Sequence, residues 1–323
     1  MHLAAYGAKH GLIRKRRTLY SHGMTVTDFA RIVEIRTKII SLSAFLIGTL
    51  FAAYHAERLS WPLVLLMLAA TLAVDMGTTG FNSYFDYRSG VDNKRFNKER
   101  DKVLVHRGIG PHVALGISVA LFAVAVVLGL LIGYLVGWEI IFVGAACMAV
   151  GFLYNGGPFP ISRTPFGELF AGGFLGLVLV ALAYYVQTQA LDIAIVLLGL
   201  PSFLLVSSIL TVNNTCDLEG DRAAGRRTLS ILLGARGGEV AIYLLGTAAY
   251  AVAALTAVLG YLPRLALLPL ALSALPVVAE YRRMHRRGYS HETKGPSMGS
   301  IAKVFLLYSA AIVVSLVAGL VFH

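Results

Sequence analysis

The sequence predicts an all-α integral membrane protein: nine transmembrane helices in one bundle, N-terminus inside and C-terminus outside. Three observations carry this: the composition, the number and length of the apolar stretches, and the side on which the basic residues fall. Of 323 residues, 57% are apolar and only 14% charged, against roughly 45–50% and about 25% in an ordinary soluble domain. So few charges cannot cover a water-facing surface of this size. The same composition excludes intrinsic disorder and collagen-like repeats. The two cysteines, Cys147 and Cys216, lie in or beside apolar runs without a CxxC partner and read as buried thiols rather than a disulfide framework.

A bilayer core needs about 20 apolar residues in a helix. Such stretches fall near 38–56, 61–85, 112–134, 138–154, 165–187, 192–215, 239–260, 264–281 and 302–321. The fourth and eighth are short and lean on their flanks. The net charge of +11 raises nucleic acid as a partner, but the charges sit between apolar runs and not in a basic domain, which points to a membrane. With the N-terminus inside, 26 of the 28 Lys and Arg residues fall in inner segments, and only Arg58 and Arg264 fall outside. That is the bias expected of cytoplasmic loops, and one helix too many or too few would scatter the later basic clusters to the wrong side.

Residues 1–37 form a cytoplasmic basic segment, with Arg14, Lys15, Arg16 and Arg17 in a row, too polar a lead for a simple signal peptide. Within it, Phe29, Ile32, Val33 and Ile35 interleave with charges. This pattern suits either an interfacial amphipathic helix or a plain positive-inside tail. Residues 38–323 make the nine-helix domain.

Charge inside or at the end of a span is expensive, about 2.5–3.5 kcal/mol for Asp at a helix centre, so its placement is informative. Two acidic clusters fall at cytoplasmic ends of spans. The first, NSYFDYRSGVD, closes the second span: Asn82 and Asp86 share a helix face one turn apart, and Asp92 lies beyond Gly90, where the helix has ended. The second, NNTCDLEGD, closes the sixth: Asn213, Asp217 and Asp221 recur every four residues and Glu219 points elsewhere. A helix C-terminus disfavours negative charge, so both clusters call for a cation. Oxygen ligands without nearby His or Cys favour Mg²⁺, and Mg²⁺ binds through one or two carboxylates together with phosphate oxygens. Two such clusters would cradle a diphosphate. Basic residues follow each: Lys94, Arg95, Arg100, Lys102 and Arg107 after the first, Arg222, Arg226 and Arg227 after the second.

Asp75, seven residues before Asn82 on the same face, and Glu168, early in the fifth span, each read as a proton acceptor or as a helix-packing hydrogen bond. No HExxH, Walker loop or GxSxG occurs, and GIG at 108–110 and GARGG at 234–238 are too short for phosphate loops.

At the two acidic clusters the sequence resembles the UbiA superfamily of intramembrane aromatic prenyltransferases, and within it the MenA branch, 1,4-dihydroxy-2-naphthoate polyprenyltransferases. Strings similar to FNSYFDYRSGVD, LVHRGI, LYNGGPFP and NNTCDLEGDRAAGRRTLSILLG recur there. The resemblance implies nine helices and Mg²⁺ bound by Asn82, Asp86 and Asp92 on one side and Asp217 and Asp221 on the other. It implies Asn213 and Asn214 beside the substrate, Arg36 and either Lys102 or Arg107 on the diphosphate, and Tyr154 near the aromatic ring, with Asp86, Asp217 and Tyr154 as the catalytic groups. Asp86 and Asp92 are six apart where four is commoner, which leaves open which loop carboxylate holds metal. The implied reaction transfers a polyprenyl group to dihydroxynaphthoate with loss of CO₂, in menaquinone biosynthesis, at a bacterial cytoplasmic membrane with the site facing the cytoplasm. Other readings are 4-hydroxybenzoate, homogentisate, haem or a glyceryl phosphate as acceptor and, from a different class, a nine-span anion transporter. A transporter would carry midplane polar residues on broken helices; here the acidic clusters lie at one face.

Overall fold

The computed structural model describes residues 24–56, 59–91 and 103–322, and among these every regular element is helical. In chain order the helices are α1 (Val26–Ile32), α2 (Lys38–Ala56), α3 (Trp61–Arg88), α4 (Val103–His106), α5 (Pro111–Val136), α6 (Glu139–Leu153), α7 (Gly167–Thr188), α8 (Ile193–Cys216), α9 (Leu218–Ala223), α10 (Leu229–Val258), α11 (Leu267–Arg287) and α12 (Lys294–Phe322). Eight of the predicted stretches lie in helices long and apolar enough to cross a membrane. The fourth is the exception: α6 has 15 residues, about 22 Å of helix, short of the ~30 Å hydrocarbon core.

Several helices outrun the apolar runs that predicted them. The helix α10 starts ten residues before 239 and bends at Gly234, whose φ of +73° suits a residue without Cβ. The helix α12 starts at Lys294 rather than 302, and α11 runs on to Arg287. The polar ends carry these helices past the apolar runs, and Lys294 at the start of α12 is among the residues that line the cavity described below.

Why the central helices approach closely is visible in α7. Its middle, Gly172–Val178, is a π-helical stretch, and a Cβ on Gly172 or Gly176 would run into the backbone of Phe203 in α8. Small residues at such crossings let helices pack where lipid supplies no hydrophobic drive. Around this crossing Phe51, Ile47, Val180, Leu198, Phe305 and Ile312 are fully buried. Val127, Phe142 and Leu275 face outward, exposed. Trp61 and Trp138, both exposed, sit at the bundle end opposite the acidic clusters, where interfacial tryptophans are expected.

The amphipathic stretch after residue 23 does form a helix. A capping box starts α1: the Asp28 amide donates to Thr25 Oγ1, and the Thr25 amide and hydroxyl donate to Asp28 Oδ2. Ser83 Oγ donates to the Ile32 carbonyl and so ties this segment to α3. The Arg14–Arg17 run lies outside the described residues.

Candidate functional site

A cavity of about 2020 Å³ opens among the helices. One face of α3 lines it from Met67 to Asp86. Met67, Ala70, Thr71, Val74, Asp75, Thr78, Thr79, Asn82 and Asp86 all contribute, at the three- and four-residue intervals that place side chains on one helix face. Polarity rises along that stripe toward the C-terminal end of α3. The helix closes at Ser89, and Gly90 follows with φ +76°, as the spacing within NSYFDYRSGVD predicts.

The two acidic clusters meet through one guanidinium. Arg226 Nη2 donates to Asp86 Oδ1 and its Nη1 to Asp221 Oδ1, each at 3.1 Å. Asp86 Oδ2 also accepts from Asn155 Nδ2 at 3.0 Å. The cation that the C-terminal carboxylates demand is therefore partly supplied by the chain itself. Burial pushes the Asp221 carboxyl up, and the Arg226 guanidinium pulls it the other way.

The second cluster does not lie on one continuous helix. The helix α8 ends at Cys216, Asp217 has non-helical backbone angles, and α9 begins at Leu218. The four-residue backbone bonds persist across the junction, Asp217 N to the Asn213 carbonyl and Asp221 N to the Asp217 carbonyl, but the two carboxylates take different partners. Asp221 turns to Arg226, while Asp217 accepts from Lys294 Nζ at 2.7 Å and contacts His291 Nδ1 at 3.3 Å. One turn earlier, Asn214 Nδ2 donates to Glu168 Oε1 at 2.8 Å, and Asn213 reaches Asn214 Oδ1 at 3.5 Å. Glu168 is thus a packing and positioning partner of Asn214 and is not itself in the cavity wall.

Of the residues named from sequence, Asn82, Asp86, Asp217, Asp221, Asn213, Asn214, Tyr154 and Arg36 all line the cavity. Asp92 and Lys102 lie outside the described residues. Arg107 is brought elsewhere: its Nη1 donates to Asp28 Oδ1 at 2.6 Å, its side chain is half exposed, and it is absent from the cavity wall. Sequence reasoning missed Asn155, His291 and Lys294. Only Lys294 left a signal, as a lone base ahead of the last apolar run.

The donor set suits Mg²⁺. Asn82 Oδ1 and Asp221 Oδ2 are buried oxygens without a hydrogen-bond partner among the described residues, and buried polar atoms ordinarily have one. Among the described residues no three His, Cys, Asp or Glu side chains converge to hold a metal alone.

Residues 41–320 match the model of the UbiA prenyltransferase family. A relative from Bacillus subtilis (strain 168) named 1,4-dihydroxy-2-naphthoate octaprenyltransferase is 35% identical over 192 residues, 59% of this chain and 61% of that one. A relative of the same name from Mycobacterium leprae is 32% identical over 58% of this chain and 63% of that one. UbiA prenyltransferase domain-containing protein 1 from Mus musculus is 32% identical over 60% and 57%. The chain thus spans about three-fifths of the length of the curated relatives it matches. Among solved structures, a UbiA homolog from Aeropyrum pernix K1 superposes with a TM-score of 0.64 at 22% identity, covering 89% of this chain and 98% of that one. A UbiA homolog from Archaeoglobus fulgidus bound to DMAPP and Mg²⁺ superposes with a TM-score of 0.61 at 14% identity, covering 89% and 99%.

Proposed function

Because the chain belongs to the UbiA prenyltransferase family, we propose that it transfers a polyprenyl group from polyprenyl diphosphate to 1,4-dihydroxy-2-naphthoate, the carboxylate leaving as CO₂. The observation that carries this reading is the meeting of Asp86 and Asp221 across Arg226, at the polar end of a cavity whose wall turns apolar toward Met67. The naphthoate acceptor is supported by the names of the Bacillus subtilis and Mycobacterium leprae relatives. Mg²⁺ is supported by the Archaeoglobus fulgidus homolog bound to DMAPP and Mg²⁺ and by the unpartnered oxygens described above. An anion transporter has no comparable support.

The division of labour follows from the wall. Asn82, Asp86, Asp217 and Asp221, with Asp92 as a further candidate, would hold Mg²⁺, which when bound supplies charge neutralisation to a departing diphosphate. Arg226, Lys294 and Arg36 bring positive charge to the same end, where they orient an anion and stabilise charge growing on its oxygens. Leu130, Ile141, Met148, Phe174 and Leu179 form an apolar flank that accommodates an isoprenoid and keeps water from an allylic cation. Tyr154, Asn213 and Asn214, also in the wall, would contact the ring that attacks. In this reading Asp86, Asp217 and Tyr154 are the catalytic groups. The reading includes nine spans, with α6 crossing by virtue of its flanks, and a cytoplasmic active site.

The test is product analysis by mass spectrometry on detergent-purified protein given Mg²⁺, a polyprenyl diphosphate and, in parallel, dihydroxynaphthoate, 4-hydroxybenzoate and homogentisate. Prenylated, decarboxylated naphthoquinol from the first acceptor alone is the expected result. Product from another acceptor would move the assignment within the family. No product from folded protein would turn attention to haem or a glyceryl phosphate.

A further inference from the structure

The wall contains a second charged cluster that the reaction as described does not use. Lys38, the first residue of α2, is 2% exposed, and it is paired inside the bundle. Its Nζ donates to Asp75 Oδ1 at 2.6 Å, to Thr79 Oγ1 at 2.6 Å and to the Asp75 carbonyl at 3.4 Å. Ser41 Oγ donates to Asp75 Oδ2 at 2.6 Å. Lys38, Ser41, Asp75 and Thr79 all line the cavity.

Three features of this cluster point to a ligand. First, Asp75 is the deepest charged side chain on the α3 stripe. Beyond it lie only Val74, Thr71, Ala70 and Met67. At 1.5 Å per residue it lies about 10 Å below Asn82 and about 16 Å below Asp86 along the helix. A diphosphate held at Asn82 and Asp86 would thus lie about two to three helical turns along the wall from Asp75. Second, the hydrogen-bond inventory is one-sided. An ammonium has three donors, and all three on Lys38 are taken, so the cation has none for a substrate anion. A carboxylate offers about four lone-pair sites, and the side-chain contacts above use two. What this patch presents to the cavity is therefore acceptor capacity on a negatively charged group. It suits a hydroxyl and repels a carboxylate. Third, a buried ion pair is seldom the most stabilising way to join two helices, since an apolar pair of similar volume usually does as well or better.

We infer that Asp75 accepts a hydrogen bond from a ring hydroxyl of the aromatic acceptor, with Lys38 and Ser41 holding the carboxylate in place. The ring then enters hydroxyl-first, its carboxylate directed back toward the cationic end. This rests on the aromatic acceptor assigned above, and it makes Asp75 a specificity-determining contact at a site separate from the diphosphate cradle.

The experiment compares kcat/KM for the dihydroxy acceptor with that for each of its mono-O-methyl ethers, in wild type and in Lys38→Met/Asp75→Leu, which replaces the ion pair by an apolar one. A hydrogen bond to a charged group corresponds to about 10- to 100-fold. Wild type is expected to discriminate by that factor against one of the two ethers, and the double variant by less than about threefold, with KM for the prenyl diphosphate unchanged. A purely structural role would lower activity on all acceptors alike and leave the ratio intact; that outcome overturns the inference. Lys38→Gln/Asp75→Asn, which keeps a hydrogen-bonded tie, covers failure of the first variant to fold: the ratio should fall with it also, and an unchanged ratio in a folded variant counts against the inference. Wild type that prenylates no hydroxylated aromatic sinks the parent reading and this one together. Product with an unchanged ratio sinks this one alone.

Discussion

Arg226 joins the two acidic motifs, so replacing it tests the site's electrostatics directly. Its guanidinium is 11% exposed and faces Asp86 and Asp221 at 18% and 5%. In Arg226→Met the apolar stem is largely kept. Asp86 retains the Asn155 amide, while Asp221 Oδ1 loses the guanidinium and Oδ2 has no partner among the described residues. Each hydrogen bond to a charged group is worth about 1.5–3 kcal/mol, which gives about 3–6 kcal/mol for two. Removing one member of a buried pair costs about 3–5 kcal/mol, and that narrower range is the expected loss in metal-free protein. A divalent cation would replace part of the lost charge, so Mg²⁺ should restore more stability to the variant than it adds to wild type. Reversible unfolding in mixed micelles, followed by circular dichroism with EDTA or with Mg²⁺, reads both quantities. A loss below about 1 kcal/mol in EDTA, the scale of a surface pair, would mean that the carboxylates part and hydrate and do not depend on Arg226. An equal gain from Mg²⁺ in both proteins would refute the idea that metal and guanidinium act on the same carboxylates.

Asp86→Ala and Asp217→Ala should each abolish Mg²⁺-dependent turnover without preventing membrane insertion; near wild-type product formation by either would remove that residue from the site. Lys294→Met removes the 2.7 Å partner of Asp217 and a cation from the diphosphate end, and KM for the prenyl diphosphate is expected to rise about 10- to 100-fold. Glu168→Leu leaves the buried Asn214 amide without its acceptor, a loss of about 1–3 kcal/mol measurable by unfolding, with a rise in acceptor KM if Asn214 touches the ring. The Asp28 carboxyl is held below its ordinary value by the Thr25 hydroxyl and, against desolvation, by Arg107. A lowered folded-state value gives stability that is complete above the ordinary carboxylate range and is lost as pH falls through the folded value. Asp28→Asn should therefore cost about 1 kcal/mol, the scale of a helix cap, at neutral pH, and the gap from wild type should close on acidification below the ordinary carboxylate range. A gap independent of pH would assign the effect to shape and not charge.

What the sequence revealed and what it hid divide along one physical line. A bilayer imposes a one-dimensional demand, about 20 apolar residues per crossing, and the apolar runs answer it locally, so every predicted stretch falls in a helix. The NxxxD pairs were legible for the same reason, because four residues is one turn. Partnership is not local. Lys38 looks like one more inner base, yet it is paired with a residue 37 positions away, inside the cavity. Arg107 looks like a diphosphate ligand, but Asp28, 79 positions earlier, takes it. Asp86 finds Arg226 at a separation of 140, and Asp217 finds Lys294 at 77. Only the three-dimensional bundle sorts these bases into those that neutralise the chain's own carboxylates and those that meet a ligand. The consequence for function is specific. Arg107 stands away from the cavity, whereas Arg226 and Lys294 from the second half of the chain and Arg36 from the first line it. The α3 stripe from the first half supplies Asn82 and Asp86 at the rim and Asp75 below. Assembling the site therefore requires both halves to fold together, with Asp86 of α3 and Asp221 of α9 held by Arg226.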